Sequence, residues 1–239
     1  LGGGDLRSFV IVLVMGVSAY TTISGPLAKV RLNLFPVIPL ESSTPPSLSY
    51  LGSQALGINS AAVGSTIGII FLIYGLFNWK NKMTLNSIFW SVIVAVAIVG
   101  GWIGTTWVAA YTYEPIGIQS FTFVAPVGEA ILYAMYGSAL NIKFGIGAVL
   151  GVLIGAFFGS IIKGHFRWEA CEDPRELKRQ ILGASIMGVG AVISLGCSVG
   201  QGLTAFSTLS YSAPLTLLSI YFGARIGLFQ LIEGFQIAE

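Results

Sequence analysis

Long apolar runs separated by short polar stretches are the main pattern of this chain. A membrane-spanning helix needs about 20 mostly apolar residues. Runs such as Val92–Val99 do not alternate between apolar and polar positions, which excludes the strands of a membrane barrel. The pattern predicts an all-α integral membrane protein, a single membrane domain over residues 1–239. Six spans are expected, at residues 9–25, 61–79, 88–111, 144–162, 181–196 and 213–232.

Composition and charge narrow the class of protein. Only 22 of the 239 residues are Lys, Arg, Asp or Glu, and nine of those 22 lie between Lys163 and Arg179. A soluble domain has about a quarter charged residues, so a disordered chain and an ordinary soluble enzyme are excluded. A net charge of +2 argues against a nucleic-acid partner. Two Cys and one His predict neither a disulfide scaffold nor a metal site, and we expect no cofactor.

The distribution of positive charge predicts the orientation. Cytoplasmic loops of membrane proteins carry an excess of Lys and Arg. With the N-terminus inside, eight Lys and Arg residues fall on the inner face, three fall on the outer face, and Arg225 falls within a span. We therefore expect both termini and the loop 163–179 to be cytoplasmic. In that loop Asp173, Pro174 and Glu176 have the pattern of a helix start, with Asp173 as the N-cap.

Three apolar stretches are interrupted by Gly, Pro and Ser, at residues 45–52, 121–140 and 196–210. Irregular backbone at membrane depth survives only where it is buried in protein or lines a cavity. In transporters, broken helices at that depth present free amides that bind anions. Each stretch is therefore either an ordinary outer loop or a re-entrant segment. The glycine density of residues 196–203 favours a re-entrant segment there.

Glycines at every fourth position form a second pattern. Gly147, Gly151, Gly155 and Gly159 repeat this spacing within one predicted span. Small residues four apart let two membrane helices approach closely. We expect this ladder to pack against a neighbouring helix, which belongs either to this chain or to another.

The stretch Ser194–Leu203, with the sequence SLGCSVGQGL, followed by Phe206–Ser210, resembles the glycine-cysteine signature of the YeeE/YedE membrane proteins. These are bacterial transporters of thiosulfate and other sulfur compounds. Residues 1–8, 123–133 and 166–174 resemble the same family, so the likeness covers nearly the whole chain. The stretch around Cys197 is its most specific part.

The resemblance implies uptake of thiosulfate or a related sulfur anion across the bacterial inner membrane. It implies two pseudo-symmetric halves whose short helices meet at a constriction, and pore-lining cysteines of which one matches Cys197. The other cysteines belong to an N-terminal portion, so the chain matches about the C-terminal two thirds of the family pattern. The resemblance also makes a small cytoplasmic sulfur-carrier protein a plausible partner for the loop 163–179. The alternative is a subunit that does not transport and instead scaffolds a larger membrane complex.

Cys197 is the central candidate for substrate binding. We expect a neutral thiol, because a thiolate would repel a dianion, whereas a thiol is a weak donor that meets the sulfur end of thiosulfate without gripping it. The alternative is a small buried apolar residue. Ser198, Gln201 and the amides of Gly200 and Gly202 are candidate donors to the oxygens, or else they cap a broken helix end.

Two charged residues complete the candidates. Arg225 lies inside the last span, where it either attracts the anion or extends to the inner interface. Glu129 either caps a short helix or carries a proton. His165 and Cys171 are expected to be solvated loop residues. Cys171 and Cys197 are expected near opposite ends of one helix, too far apart in space to form a disulfide. An enzyme acting through Cys197 is the weakest reading, because no base lies nearby in the sequence.

Overall fold

A computed structural model describes residues 2–35, 47–82, 84–112, 117–138, 140–168 and 174–233. Its helices are α1 (Leu6–Ile23), α2 (Pro26–Leu34), α3 (Leu48–Leu56), α4 (Ser60–Lys82), α5 (Leu85–Tyr111), α6 (Val124–Tyr136), α7 (Phe144–Ile162), α8 (Pro174–Ile193) and α9 (Ser212–Glu233). A short helix at residues 198–207, with π-helical turns over Gly200–Ala205, lies between α8 and α9. The described ranges contain no strand, only an isolated bridge between Ser47 and Ser210. The expectation of an all-α fold is confirmed.

The number of spans is lower than the six predicted. Four helices are long and apolar enough to cross a membrane: α1, α5, α7 and the part of α9 at Ser212–Gln230. A fifth is added if α3 and α4, which meet at a bend of 116°, form one broken span. The predicted span at 181–196 corresponds to α8. Four of the first six residues of α8 are charged, so its apolar part is too short by this criterion.

The core forms where α1 packs between α6 and α8. Its buried apolar residues come from these three helices, and they are Met15, Ala19, Val124, Ala184 and Val192. Glycine makes the close approach possible on both sides. A Cβ at Gly128 of α6 would lie 2.7 Å from the Gly16 carbonyl oxygen, and one at Gly188 of α8 would lie 2.6 Å from the Met15 carbonyl oxygen.

Helix α7 packs on the other side of α6. A Cβ at Gly145 would lie 2.7 Å from the Pro126 ring. The glycine ladder of α7 is not used in this contact, because no atom lies within 4 Å of a Cβ placed at Gly147, Gly151, Gly155 or Gly159. Within the part of the chain that the structure describes, the ladder therefore has no partner helix.

The first turns of α1 and α8 are joined by polar contacts. Asp5 is the N-cap of α1, where its carboxylate accepts hydrogen bonds from the Arg7 amide at 3.0 Å and from the Ser8 hydroxyl. The Ser8 hydrogen bond is the main reason why the pKa of Asp5 lies below its ordinary value. Arg7 also forms an ion pair with Glu176 of α8 at 2.8 Å. Both helices therefore begin at the same side of the bundle, while the expected N-cap Asp173 lies outside the described residues.

Candidate functional site

The three interrupted stretches of the sequence meet around the short helix. At its C-terminal end, the Leu48 amide donates to the Leu209 carbonyl at 2.8 Å. Along its side, the Thr204 hydroxyl donates to the Phe121 carbonyl at 2.7 Å. The short helix is thus held between the segment that starts α3 and the extended segment 117–123 that leads into α6. Long-range packing brings together breaks that lie far apart in the sequence.

A tight turn separates α8 from the short helix. Leu195 has a left-handed backbone conformation, with φ of 60°, and its side chain is 79% exposed. The Gly196 amide donates back to the Ala191 carbonyl at 2.8 Å, and the Ser194 hydroxyl donates to the Gly196 carbonyl at 2.8 Å. A left-handed residue at the end of a helix is usually Gly, so the conformation of Leu195 is held by its surroundings.

Cys197 lies at the N-cap position of the short helix. Its sulfur accepts the Gly200 amide at 3.5 Å, and its carbonyl accepts the Gln201 amide at 2.8 Å. The side chain is half-buried against the core of α1, α6 and α8. Because the sulfur is the acceptor in this hydrogen bond, the thiol proton remains available to donate to another group.

The start of the short helix presents several unused donors. Among the described residues, the amides of Ser198 and Val199 donate no hydrogen bond. Ser198 is exposed, and its hydroxyl is likewise without a partner in that part of the chain. A helix N-terminus with free amides favours negative charge. One thiol, one hydroxyl and two amides therefore lie within three consecutive residues at a helix start, where negative charge is favoured.

Gln201 occupies a different place from the other candidate donors. Its side chain is 4% exposed. The amide nitrogen donates to the Leu195 carbonyl at 3.2 Å, and the amide oxygen accepts the Ser212 hydroxyl at 3.1 Å. Both ends of the amide are engaged, so that one side chain links the end of α8, the short helix and the start of α9.

The two glycines of the motif lie at close contacts. A Cβ at Gly200 would lie 2.8 Å from the Thr122 hydroxyl oxygen, and one at Gly202 would lie 2.9 Å from the Leu217 side chain of α9. The Gly200 amide is also the donor to the Cys197 sulfur. These positions seat the short helix between segment 117–123 and α9.

Glu129 is paired with a charged residue and, within the described ranges, has no hydrogen bond to the short helix. It is the sixth residue of α6 and forms an ion pair with Lys143 at 2.8 Å. It does not cap the helix start, as one alternative had it, because α6 begins at Val124 and includes Pro126 in its first turn. Proline is tolerated there, since the first amides of a helix have no partner in the helix.

Arg225 is remote from the cysteine. It lies 13 residues after Ser212 in α9, which is about 20 Å along the helix axis. Its side chain is exposed and donates to the Tyr221 hydroxyl at 3.4 Å. Of the predicted binding residues, Cys197 and Ser198 therefore lie at the start of the short helix, and Gly200, Gln201 and Gly202 pack within its body. Glu129 and Arg225 are engaged with Lys143 and Tyr221 instead.

Three residues of the site had no functional signal in the sequence. Thr122 contacts Gly200, Thr204 binds segment 117–123, and Ser212 binds Gln201. Thr122 lies in the interrupted stretch 121–140, so the sequence pointed to this segment but not to Thr122 itself. Cys171 lies outside the described ranges, and within those ranges no group of three or more His, Cys, Asp or Glu side chains is placed to hold a metal ion.

Comparison with known proteins places the chain in a family. The family model described as sulphur transport matches residues 1–226. Over 229 residues, 93% of this chain, it is 24% identical to the thiosulfate transporter TsuA of Spirochaeta thermophila. Over 99 residues, 41% of this chain, it is 29% identical to the thiosulfate transporter TsuA of Escherichia coli strain K12. These matches cover 66% and 28% of the two relatives, so the chain spans at most about two thirds of their length. With its apolar helices, this multi-pass membrane protein belongs to the sulphur transport family, also called YeeE/YedE.

Proposed function

We propose that this chain takes part in the uptake of thiosulfate or a related sulfur anion across the bacterial inner membrane. The single observation that carries the proposal is the start of the short helix, where the Cys197 thiol, the Ser198 hydroxyl and two backbone amides are free to donate. Family membership and the names of the two relatives support the choice of substrate.

The two ends of thiosulfate suit the two kinds of donor. The sulfonate oxygens accept from the Ser198 and Val199 amides and from the Ser198 hydroxyl, at the positive end of the helix dipole. The terminal sulfur meets the Cys197 thiol, which is a weak donor. No cation lies among these donors, so the anion is held weakly enough to leave, as conduction requires. The step involves hydrogen bonding only.

In this proposal Gln201 positions the thiol and does not touch the anion. Its amide is occupied by Leu195 and Ser212, so it holds the turn that carries Cys197. Gly200 and Gly202 let the short helix approach its neighbours. The sequence predicted Glu129 and Arg225 as further substrate contacts. In this proposal neither residue binds the anion at the start of the short helix.

The membrane potential limits the mechanism. Moving one negative charge inward against a potential that is negative inside costs about 2.3 kcal/mol per 100 mV, and a dianion meets about twice that cost. Uptake therefore needs either an accompanying cation or rapid consumption of thiosulfate in the cytoplasm.

The test is uptake of radiolabelled thiosulfate by vesicles that contain the full chain. We expect Cys197→Ala to reduce the rate strongly and Cys197→Ser to retain part of it, because a hydroxyl still donates. Ser219→Ala, on an exposed face of α9, is the control and keeps the wild-type rate. Wild-type rates in both Cys197 variants would remove this residue from the path.

A second candidate function is that of a membrane subunit that scaffolds a larger complex. The open glycine ladder of α7 favours it, since this face has no partner among the described residues. Uptake by the chain in isolation separates the two, because a scaffold subunit carries no thiosulfate without its partners.

A further inference from the structure

A cavity of about 460 Å³ lies at the C-terminal end of the short helix, opposite to Cys197. It is bounded by α3, the first turns of α4 and the end of the short helix. Its polar lining consists of four hydroxyl residues: Ser49, Ser60, Ser207 and Thr208. On its apolar side the rings of Phe71 and Phe206 meet edge to face, with centroids 5.4 Å apart.

The directions of the hydrogen bonds decide which charge this cavity favours. The Ser207 hydroxyl donates to the Thr204 carbonyl at 2.7 Å and accepts the Trp102 ring N–H at 3.2 Å. The Thr208 hydroxyl donates to the Ala205 carbonyl at 2.9 Å. Because both protons are already donated, these hydroxyls have lone pairs, and no protons, left for a ligand. An anion therefore gains little from Ser207 and Thr208. Of the other two hydroxyls, Ser49 pairs with the Ser47 hydroxyl, and Ser60, which has no partner among the described residues, can turn its lone pairs to a ligand.

The backbone at the C-terminal end of the short helix also offers oxygen lone pairs to a ligand. The Phe206 carbonyl accepts the Leu209 amide, whereas the Ser207 carbonyl accepts no hydrogen bond within the described ranges. The last carbonyls of a helix carry partial negative charge. Across the cavity, the Ala61 amide of α4 is taken up by the Asn59 side chain at 3.2 Å, so it is not left for an anion.

We propose that this cavity binds a monovalent alkali cation, with Na⁺ as the probe. Hydroxyl and carbonyl oxygens are suitable ligands for hard cations, and the C-terminal ends of broken helices coordinate Na⁺ in transporters. The lining contains no carboxylate, so its neutral oxygens suit a single charge. The site goes beyond the proposed function. If that function holds, a cation bound here supplies counter-charge for the anion at the other end of the same helix.

The test measures the thermal unfolding of the full chain in lipid nanodiscs, without thiosulfate. Na⁺ replaces N-methylglucamine at constant ionic strength. A ligand that binds only the folded state raises Tm with its concentration, so we expect Na⁺ to raise Tm of the wild type. Thr208→Val and Ser60→Ala should lose most of this rise. Thr106→Val is the matched control, because Thr106 also donates to a backbone carbonyl, on an exposed face of α5, and it should keep the full rise.

Two outcomes overturn the proposal: a wild-type Tm that is the same in Na⁺ and N-methylglucamine, or a full Na⁺ effect in both Thr208→Val and Ser60→Ala. An equal rise with K⁺ supports the site as one of low selectivity. Using two variants guards against a fold defect in either, which a lowered Tm in N-methylglucamine reveals. Since thiosulfate is absent, failure of the proposed transport does not affect this result.

Discussion

Cys197 occupies the helix position that Ser, Thr, Asp or Asn most often takes. Its sulfur accepts the Gly200 amide at 3.5 Å, which is a weaker bond than an oxygen would form. The sequence predicted Cys197 and Ser198 as donors, because a thiol and a hydroxyl beside glycines are visible in it. The inward direction of Gln201 was not predictable, since it depends on Leu195 and Ser212 meeting the same side chain.

Substitution of Gln201 by Leu tests its positioning role. The change leaves the Leu195 carbonyl and the Ser212 hydroxyl without their partner, and an unsatisfied buried polar group costs about 1–3 kcal/mol. We expect a lower free energy of unfolding, lower uptake and faster alkylation of Cys197, because the turn that carries the thiol loosens. Gln54→Leu on the exposed face of α3 is the control. Unchanged alkylation in Gln201→Leu would show that the amide does not hold the thiol.

Asp5 gives a prediction of pH dependence. Its pKa is lowered in the folded chain, chiefly by the Ser8 hydrogen bond. A lowered folded pKa adds stability that is present above the ordinary value of about 3.9 and lost as the pH falls through the folded pKa. Asp5→Asn keeps an acceptor but cannot titrate. We therefore expect its Tm to fall less than that of the wild type between pH 5 and pH 3, as calorimetry would measure. Parallel curves would contradict the role of Asp5.

At the scale of elements, glycines determine which helices approach closely. The sequence drew attention to the four-residue ladder of α7, yet the close approaches of the core use Gly16, Gly128 and Gly188. Spacing alone could not separate the two sets, because it does not tell which face of a helix meets a neighbour. The apolar runs predicted the helices well, since length and hydropathy are local properties. The stretch 121–140 was predicted to be interrupted, yet α6 continues through Pro126 and Gly128, because a proline in the first turn costs the helix no hydrogen bond.

A pair of glycine substitutions distinguishes these two sets. Gly128→Ala puts a Cβ 2.7 Å from the Gly16 carbonyl, a backbone atom that cannot move alone, so α1 and α6 must separate. We expect it to lower Tm by several degrees. Gly151→Ala, where no atom lies within 4 Å, should leave Tm unchanged or raise it, since Ala favours helix. Equal losses of Tm in the two variants would mean that the ladder also packs within the chain.

The whole molecule is organised around the meeting of three broken stretches. Each stretch was visible in the sequence as an interruption, but their contact at Leu48–Leu209 and Thr204–Phe121 depends on packing across most of the chain. The span count shows the same limit. The sequence predicts a charged start of α8 and a span at 181–196, but α8 ends at Ile193, so its apolar part is shorter than a span needs. Orientation remains a prediction from the loop charges.

The most direct measurement is the protection of Cys197 by thiosulfate against a negatively charged maleimide. The full chain in lipid vesicles, with Cys171→Ala so that one thiol remains, is labelled with and without thiosulfate at constant ionic strength. Labelling of free cysteine under the same conditions corrects for reagent consumed by thiosulfate. If the anion passes the start of the short helix, thiosulfate slows the labelling of Cys197 several-fold, and phosphate does not. A labelling rate that is indifferent to thiosulfate would contradict the claim that the thiol lies on the path of the anion.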